Sequence, residues 1–397
     1  MKVCIIGGGA SGLVAAITAG ERGHEVSLFE RQARVGRKLM STGNGRCNLT
    51  NVNASPERYH SADGSFVVPA LSRFGAAETL RFFDSLGLIT VTEESGRVYP
   101  FSDQAGSVLD VLRFRCDALG VNTLTGVEVR GIRKTKEGFE IATADGKRLF
   151  DRAVIACGGA AGAKVGGVGL GYELLRSLGH GITALSPALV QIKTDTNYIK
   201  SLKGVRAQAR IELKKDGKTA ATGAGEVQFT EYGLSGPAIF DISGCAAPGS
   251  EISLDLAPDM GEREVIAYLS RRTTELPKLT AESVLAGFLQ SRVGATCVRY
   301  AGVGLNTPLS ALRSGELLLI AGAVKSFRTA VLGTLGFDSA QVTRGGARTE
   351  EFRPDTLESR LVKGLYACGE VLDVDGDCGG FNLQWAWSSG RLAGELR

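Results

Sequence analysis

An α/β core assembled from both ends of the chain and interrupted by a β-rich insertion is the fold class the sequence predicts. Three observations predict it. The first 30 residues read strand, glycine turn, helix, strand. Apolar-strand texture returns from about residue 340 and closes with a glycine-opened helix pattern. Between these ends, from about residue 187, segments alternate like antiparallel strands.

A chain of 397 residues corresponds to two or three domains at roughly 100–200 residues each. With 43% hydrophobic and 22% charged residues it has the composition of a soluble globular protein with a sizeable core. The net charge of +4, from 46 basic and 42 acidic residues, is spread thinly and makes no basic arm. That argues against a nucleic-acid partner. No apolar run is long enough to span a bilayer, which argues against a membrane partner. Val3–Ile6 runs straight into Gly7–Gly9 rather than into a signal-peptide pattern. A cytoplasmic setting is expected, and eight cysteines without CxxC spacing agree with it. Cys4, Cys157, Cys297 and Cys368 sit in apolar surroundings as small core residues. No HxxxH or CxxC cluster marks a metal site, and nothing points to an oligomeric state.

Along the chain, Val3–Ile6 reads as a strand, Ser11–Arg22 as a helix and Glu25–Glu30 as a second strand. Residues 70–86 and 105–118 carry amphipathic helix patterns, and 121–150 reads as a β-meander with an Asp145-Gly146 turn. Asp151–Cys157 is an apolar strand closed by Gly158-Gly159, with a helix near Gly171–Leu178. In the middle region 189–194, 205–214, 218–230 and 250–257 alternate as strands. Val265–Leu269, Ala281–Leu289 and Pro308–Leu319 read as helices. Leu361–Cys368 is a strand and Phe381–Leu396 a helix. His24 and His180 follow glycines at helix ends, where a last-turn or capping role is expected.

The strongest chemical signal is Gly7-Gly8-Gly9-Ala10-Ser11-Gly12, placed between a strand and a helix. In a Rossmann-like unit Gly7 makes the tight turn and Gly9 leaves room for a pyrophosphate. Gly12 brings helix against sheet, and the helix N-terminus offers N–H groups and partial positive charge. Glu30, ending the second strand, can accept hydrogen bonds from adenosine ribose hydroxyls. This fingerprint alone leaves NAD and FAD both open. Gly369-Glu370 ends a late apolar strand, and Asp377 to Gln384 opens the last helix around Gly380, Phe381, Asn382 and Leu383. A carboxylate there can hold ribityl hydroxyls, and a helix N-terminus can face the flavin N1 and C2 carbonyl, where reduced flavin carries its charge. A strand and helix that only complete the sheet are the plainer alternative. In Val35 to Asn48, the glycines Gly43 and Gly45 let backbone approach a cofactor. Arg37, Lys38 and Arg46 could neutralise pyrophosphate, bind an acidic substrate, or simply form a solvated loop. Cys47 and Cys378 are expected beside the flavin without forming a redox pair. Ala153–Gly159 ends in Gly158-Gly159, where backbone can pass close to a dinucleotide.

Together these motifs resemble the BaiN-like flavoproteins, also described as the aminoacetone oxidase family of FAD-binding enzymes. The residues that carry the resemblance are Gly7–Gly12, Gly36-Arg37-Lys38 through Asn48, Phe229-Thr230 with Gly233–Pro237, and Gly369-Glu370 through Gly390. The resemblance covers essentially the whole chain. It implies a Rossmann-like FAD-binding domain of the two-dinucleotide-binding-domain type, interrupted by an inserted β-barrel with a helical module. The expected division is 1–186 with 337–397 for the FAD domain and 187–336 for the insertion. Within the insertion, 187–260 and about 321–336 form the barrel and 261–320 the helices. Two positions depart from the pattern on the expected substrate side: Leu170 stands where relatives often carry an acid, and Glu231 where they often carry histidine.

The expected cofactor set is Gly7, Gly9, Ala10, Ser11, Gly12, Glu30, Arg31, Arg37, Lys38, Gly43, Asn44, Gly45, Arg46, Cys47, Asn48, Val129, Ala156, Gly158, Gly159, Gly369, Glu370, Gly380, Phe381, Asn382 and Leu383. No catalytic side chain is assigned. The expected function is an oxidoreductase with non-covalent FAD passing hydride through flavin N5 to a small organic substrate. NAD(P)H is the expected transient donor, because no second GxGxxG is present. An O₂-using amine oxidase and a non-enzymatic flavin redox sensor are the alternatives. The lack of a basic face argues against a folate- or RNA-linked enzyme.

Overall fold

The computed structural model describes all 397 residues. They form two compact units, one of Met1–Pro187 with Ala340–Arg397 and one of Ala188–Ser339.

The first unit is built on a five-stranded parallel sheet. Its strands are β1 (Lys2–Ile6), β2 (Glu25–Glu30), β3 (Asn122–Thr125), β4 (Arg152–Ile155) and β5 (Leu365–Ala367), in the order β5-β4-β1-β2-β3. Val3 pairs with Arg152, Lys2 with Glu25 and Ala153 with Leu365. Val3, Cys4, Ile5 and Ile6 are all buried, as a parallel strand covered on both faces requires. The helices are α1 (Ala10–Glu21), α2 (Val68–Arg73), α3 (Ala76–Ser85), α4 (Ala105–Ala118), α5 (Leu170–Ser177) and α6 (Phe381–Gly394). The backbones of α1 and α6 touch. A Cβ on Gly390 would lie 2.4 Å from the Ser11 carbonyl oxygen, and one on Gly394 would lie 2.6 Å from that of Ala15.

In this unit the structure departs from the sequence pattern at three places. The single helix expected over 70–86 is two. The chain breaks at Phe74-Gly75, and the Glu78 carboxylate accepts the Gly75 N–H (3.1 Å) to restart α3. The first strand of the expected meander is β3, which runs parallel beside β2. Only Gly131–Lys134, Phe139–Thr143 and Gly146–Phe150 form the antiparallel sheet. His180 braces the chain with its ring rather than capping a helix. Its Nδ1 lies 2.8 Å from Glu351 Oε2 and its Nε2 3.0 Å from Ser359 Oγ, and the ring stacks on Phe352. Burial pulls the His180 pKa below its usual value, against the opposing pull of Glu351. A depressed folded-state pKa means the fold favours the neutral ring. The stabilisation is therefore complete above the unfolded value of about 6.5 and is lost as pH falls. Melting temperature should drop between pH 7 and pH 5, and His180→Gln should flatten that slope. An equal slope in both proteins would remove His180 from the account.

The second unit contains a closed antiparallel barrel of six strands in the order Ile192–Thr194, Gly233–Ser235, Lys218–Phe229, Arg206–Lys215, Glu251–Asp255 and Phe327–Thr334. Ile211, Leu213, Val227, Phe229, Ile252, Leu254 and Phe327 are among its buried residues. Helices Glu262–Glu275, Ser291–Tyr300 and Ser314–Lys325 share that core. The helix expected at Ala281–Leu289 is one 3₁₀ turn, Ala281–Ser283, and Gly287 has a left-handed φ of 86° that ends helical winding. The helix expected at Pro308–Leu319 begins at Ser314, after a separate 3₁₀ turn.

Candidate functional site

The site lies at the carboxyl ends of β1, β4, β2 and β5, where an open parallel sheet binds its ligand. Gly7 leaves β1 with φ 111°, and its N–H donates to Phe29 O (2.8 Å). A Cβ at Gly7 would meet Ala156 O at 2.4 Å, and one at Gly12 would meet Gly7 O at 1.9 Å. Gly9 caps α1 without any side-chain hydrogen bond, and a Cβ there would meet nothing within 4 Å. The first-turn N–H groups, including those of Ala10 and Ser11, are ones a helix cannot satisfy internally. Such groups can bind an anion. Ser11 Oγ also reaches Cys368 O at 3.5 Å, joining the two ends of the chain.

Glu30 braces the turn from β2. Its Oε2 accepts the Gly8 N–H (2.9 Å) and its Oε1 the Gln32 N–H (2.7 Å). Each carboxylate oxygen keeps a second acceptor site for a ribose hydroxyl. Val127 N–H donates to Glu30 O, which places the segment carrying buried Val129 beside this strand end. Arg31 Nη2 reaches Gly166 O (3.4 Å).

The two other arginines have partners of their own. Arg37 Nη1 donates to Gln32 Oε1 (2.8 Å). Arg46 pairs with Asp103 (2.5 Å) and Glu93 (3.3 Å) and lies over the Tyr99 ring. Gly43, Asn44, Gly45 and Cys47 all have left-handed φ, which folds this loop tightly. Burial pushes the Cys47 thiol up to about 12, opposed only by a Thr42 hydrogen bond. Burial thus favours the thiol over the thiolate. Asn48 Oδ1 is buried without a hydrogen-bond partner, beside Gly380.

Lys38 Nζ forms an ion pair with Glu370 Oε2 at 2.6 Å. Glu370 Oε1 accepts the Thr343 N–H at 2.8 Å. Thr343 Oγ1 in turn accepts the N–H groups of Ala160 and Ala161, both at 2.9 Å. A Cβ on Gly159 would strike Thr343 Oγ1 and Glu370 Oε1, whereas Gly158, with φ 71°, faces open space. Gly369 donates to Ser389 Oγ (2.9 Å) and accepts from Trp385 Nε1 (3.2 Å), anchoring the strand end to α6.

Gly380, with φ 103°, opens α6 without a side-chain cap. The Asn382 side chain holds the preceding loop: Oδ1 accepts from Gly376 N–H, and Nδ2 donates to Gly376 O and Asp377 O. The Phe381 carbonyl accepts from Tyr59 Oη (3.1 Å), while the Leu383 side chain is half-buried. The N–H groups of this first turn have no intrahelical acceptor and can favour negative charge.

Sequence reasoning missed Thr343, which has no local signal. It also missed the buried ion pair of Arg344 with Asp375 (2.9 Å). Alternating acids at 373, 375 and 377, between Glu370 and Gly379, are the signal that could have drawn attention to the latter.

Residues 1–396 match the family described as HI0933-like protein Rossmann domain. The chain belongs to the HI0933-like family. A relative from Clostridium scindens, 3-dehydro-bile acid delta(4,6)-reductase, is 40% identical and aligns over 99% of this chain and 98% of its own. The ribosomal RNA dihydrouridine synthase of Escherichia coli is 30% identical, over 97% and 95%. Among solved structures, 3-ketosteroid delta1-dehydrogenase from Sterolibacterium denitrificans aligns over 99% of this chain and 98% of its own. Its TM-score is 0.54 at 10% identity, a likeness of fold. This HI0933-like chain is an FAD-dependent oxidoreductase. Its residues fit that cofactor: the open faces of Gly9 and Gly158 follow β1 and β4, α1 and α6 start without side-chain caps, and the unpartnered Asn48 Oδ1 lies beside the start of α6. No helix is long and apolar enough to cross a membrane.

Proposed function

We propose that this protein reduces a carbon–carbon double bond conjugated to a carbonyl in a small organic substrate, with NAD(P)H as a transient donor. The observation that carries the reading is the pair of relatives. Both names record hydrogen added across such a bond, in a 3-dehydro bile acid and in a uridine. When bound, FAD supplies a hydride acceptor and donor at N5. The chain's own residues bind and orient it. The start of α1 at Gly9 receives the pyrophosphate, and Glu30 accepts ribose hydroxyls. The start of α6 favours negative charge at the pyrimidine end. The absence of a second GxGxxG supports a donor that visits and leaves. Cysteine spacing without a disulfide framework supports a cytoplasmic setting.

Anaerobic mixing tests the reading. NADH or NADPH should bleach the flavin absorbance, and a steroid 4,6-dien-3-one should restore it. Bleaching by amines alone would make the protein an oxidase, and no bleaching by any donor would leave a sensor. The relative at 30% identity favours a second reading, in which the enone belongs to a uridine of ribosomal RNA. Reoxidation by that RNA and not by the dienone would select it.

A further inference from the structure

A pocket of about 340 Å³ opens beside the break at Phe74-Gly75, lined from α2, α3 and the end of α6. That volume falls in the range of small-ligand sites. Arg73 ends α2, and the break turns the chain so that Arg81 of α3 lines the same cavity. Arg391 comes from the last turn of α6. Glu78 and Glu395 also line it, and the buried Phe74 and Leu392 supply apolar wall.

None of the three arginines has a carboxylate to itself. Glu395 lies 3.8 Å from Arg73, but also 4.0 Å from Arg22 and 2.8 Å from Arg397. Glu21 lies 2.8 Å from Arg391 and 3.0 Å from Arg115. Glu78 pairs with Arg81 at 2.5 Å, while its other oxygen accepts the Gly75 N–H. Arg73 Nη1 further donates to the Asp355 carbonyl at 2.8 Å. These hydrogen bonds use one terminal nitrogen of each guanidinium. The rest of each five-donor fork is left for a ligand.

We propose that this pocket binds a sugar phosphate, with the phosphate on Arg73, Arg81 and Arg391. A phosphate dianion presents several oxygens to converging guanidinium forks and adds the negative charge that the shared glutamates divide too thinly. Glu78 and Glu395 are acceptors for sugar hydroxyls, and Phe74 and Leu392 back the carbon frame. A bare ion would leave most of the volume unused. The site is built from α2, α3 and the far end of α6, and it stands independently of the flavin reading.

Calorimetric titration of the FAD-loaded protein with ribose 5-phosphate tests it, since bound FAD keeps the probe out of the dinucleotide crevice. One molecule should bind per chain, more weakly as salt rises. Ribose and inorganic phosphate should each bind at least about tenfold more weakly. Arg81→Gln should weaken binding about tenfold, the lower end for a charged hydrogen bond. The Arg81 side chain is 70% exposed, so this variant should fold as the wild type does. Arg113→Gln breaks a similar exposed pair, with Asp110 on α4 outside the pocket, and should leave binding unchanged. Absence of saturable binding would overturn the proposal. So would ribose or inorganic phosphate binding as tightly as ribose 5-phosphate, or an equal loss in the Arg81 and Arg113 variants.

Discussion

Alanine at Gly12 should yield a protein that purifies without flavin. Its Cβ would sit 1.9 Å from the Gly7 carbonyl oxygen, a backbone atom, with the Ala156 Cβ only 3.3 Å away. No side chain can rotate aside, so α1 must move off β1. Overpacking typically costs about 1–3 kcal/mol, and a contact without a flexible partner falls at the top of that range. The displaced helix start also takes its N–H groups out of register with the pyrophosphate seat. A combined loss near 3 kcal/mol is about a hundredfold in FAD affinity. Gly9→Ala is the paired measurement. Its Cβ meets no protein atom within 4 Å, so melting temperature should stay at the wild-type value while FAD binding falls. Titration of apo-protein reads both. Unchanged affinity in Gly9→Ala would mean the cofactor does not lie against that backbone.

Gln384→Leu should cost about 3–5 kcal/mol of folding stability. The residue is wholly buried in α6. Its Oε1 accepts from Thr50 Oγ1 (2.5 Å), and its Nε2 contacts Phe74 O (3.0 Å), Thr79 Oγ1 (2.9 Å) and Ser388 Oγ (2.8 Å). Leucine fills the volume and satisfies none of these. The Phe74 carbonyl keeps its Ser388 hydrogen bond, but the Thr50 and Thr79 hydroxyls are stranded in the interior. Each unmade buried partner costs about 1–3 kcal/mol. Urea unfolding at constant m-value measures the change, and a loss under 1 kcal/mol would show that the hydroxyls find other partners.

These residues also show how much was legible beforehand. The turn at Gly7–Gly12 could be read because its constraint is local: strand, glycines and helix are contiguous, and a Cβ at Gly12 would strike the Gly7 carbonyl one turn away. The helix opened by Gly380 was readable for the same reason. The partners of Glu370 were not. A carboxylate after a strand says nothing of a lysine across the sheet or of Thr343, since those contacts depend on strand order. Likewise Asn122–Thr125 alternates as a meander strand would, and only its place after α4 sends it parallel to β2. The break at Phe74-Gly75 escaped notice because Leu71, Phe74, Leu80 and Phe83 keep the apolar pattern running through it. In the second unit, Gly287 interrupted a pattern whose apolar residues alone suited a helix.

The close contact of α1 with α6 has a bearing on how the protein is made. Ser11 and Ala15 leave the ribosome long before Gly390 and Gly394, whose missing side chains let the two backbones meet. Until then α1 lacks its neighbour and β4 lacks its outer partner β5, although the whole 188–339 unit has already been translated. The barrel can therefore complete itself during translation, while the nucleotide core waits for β5 and α6. Ribosome stalling or premature termination between residues 339 and 365 would release chains with a finished barrel and a sheet lacking β5, exposed to proteases and unable to retain flavin.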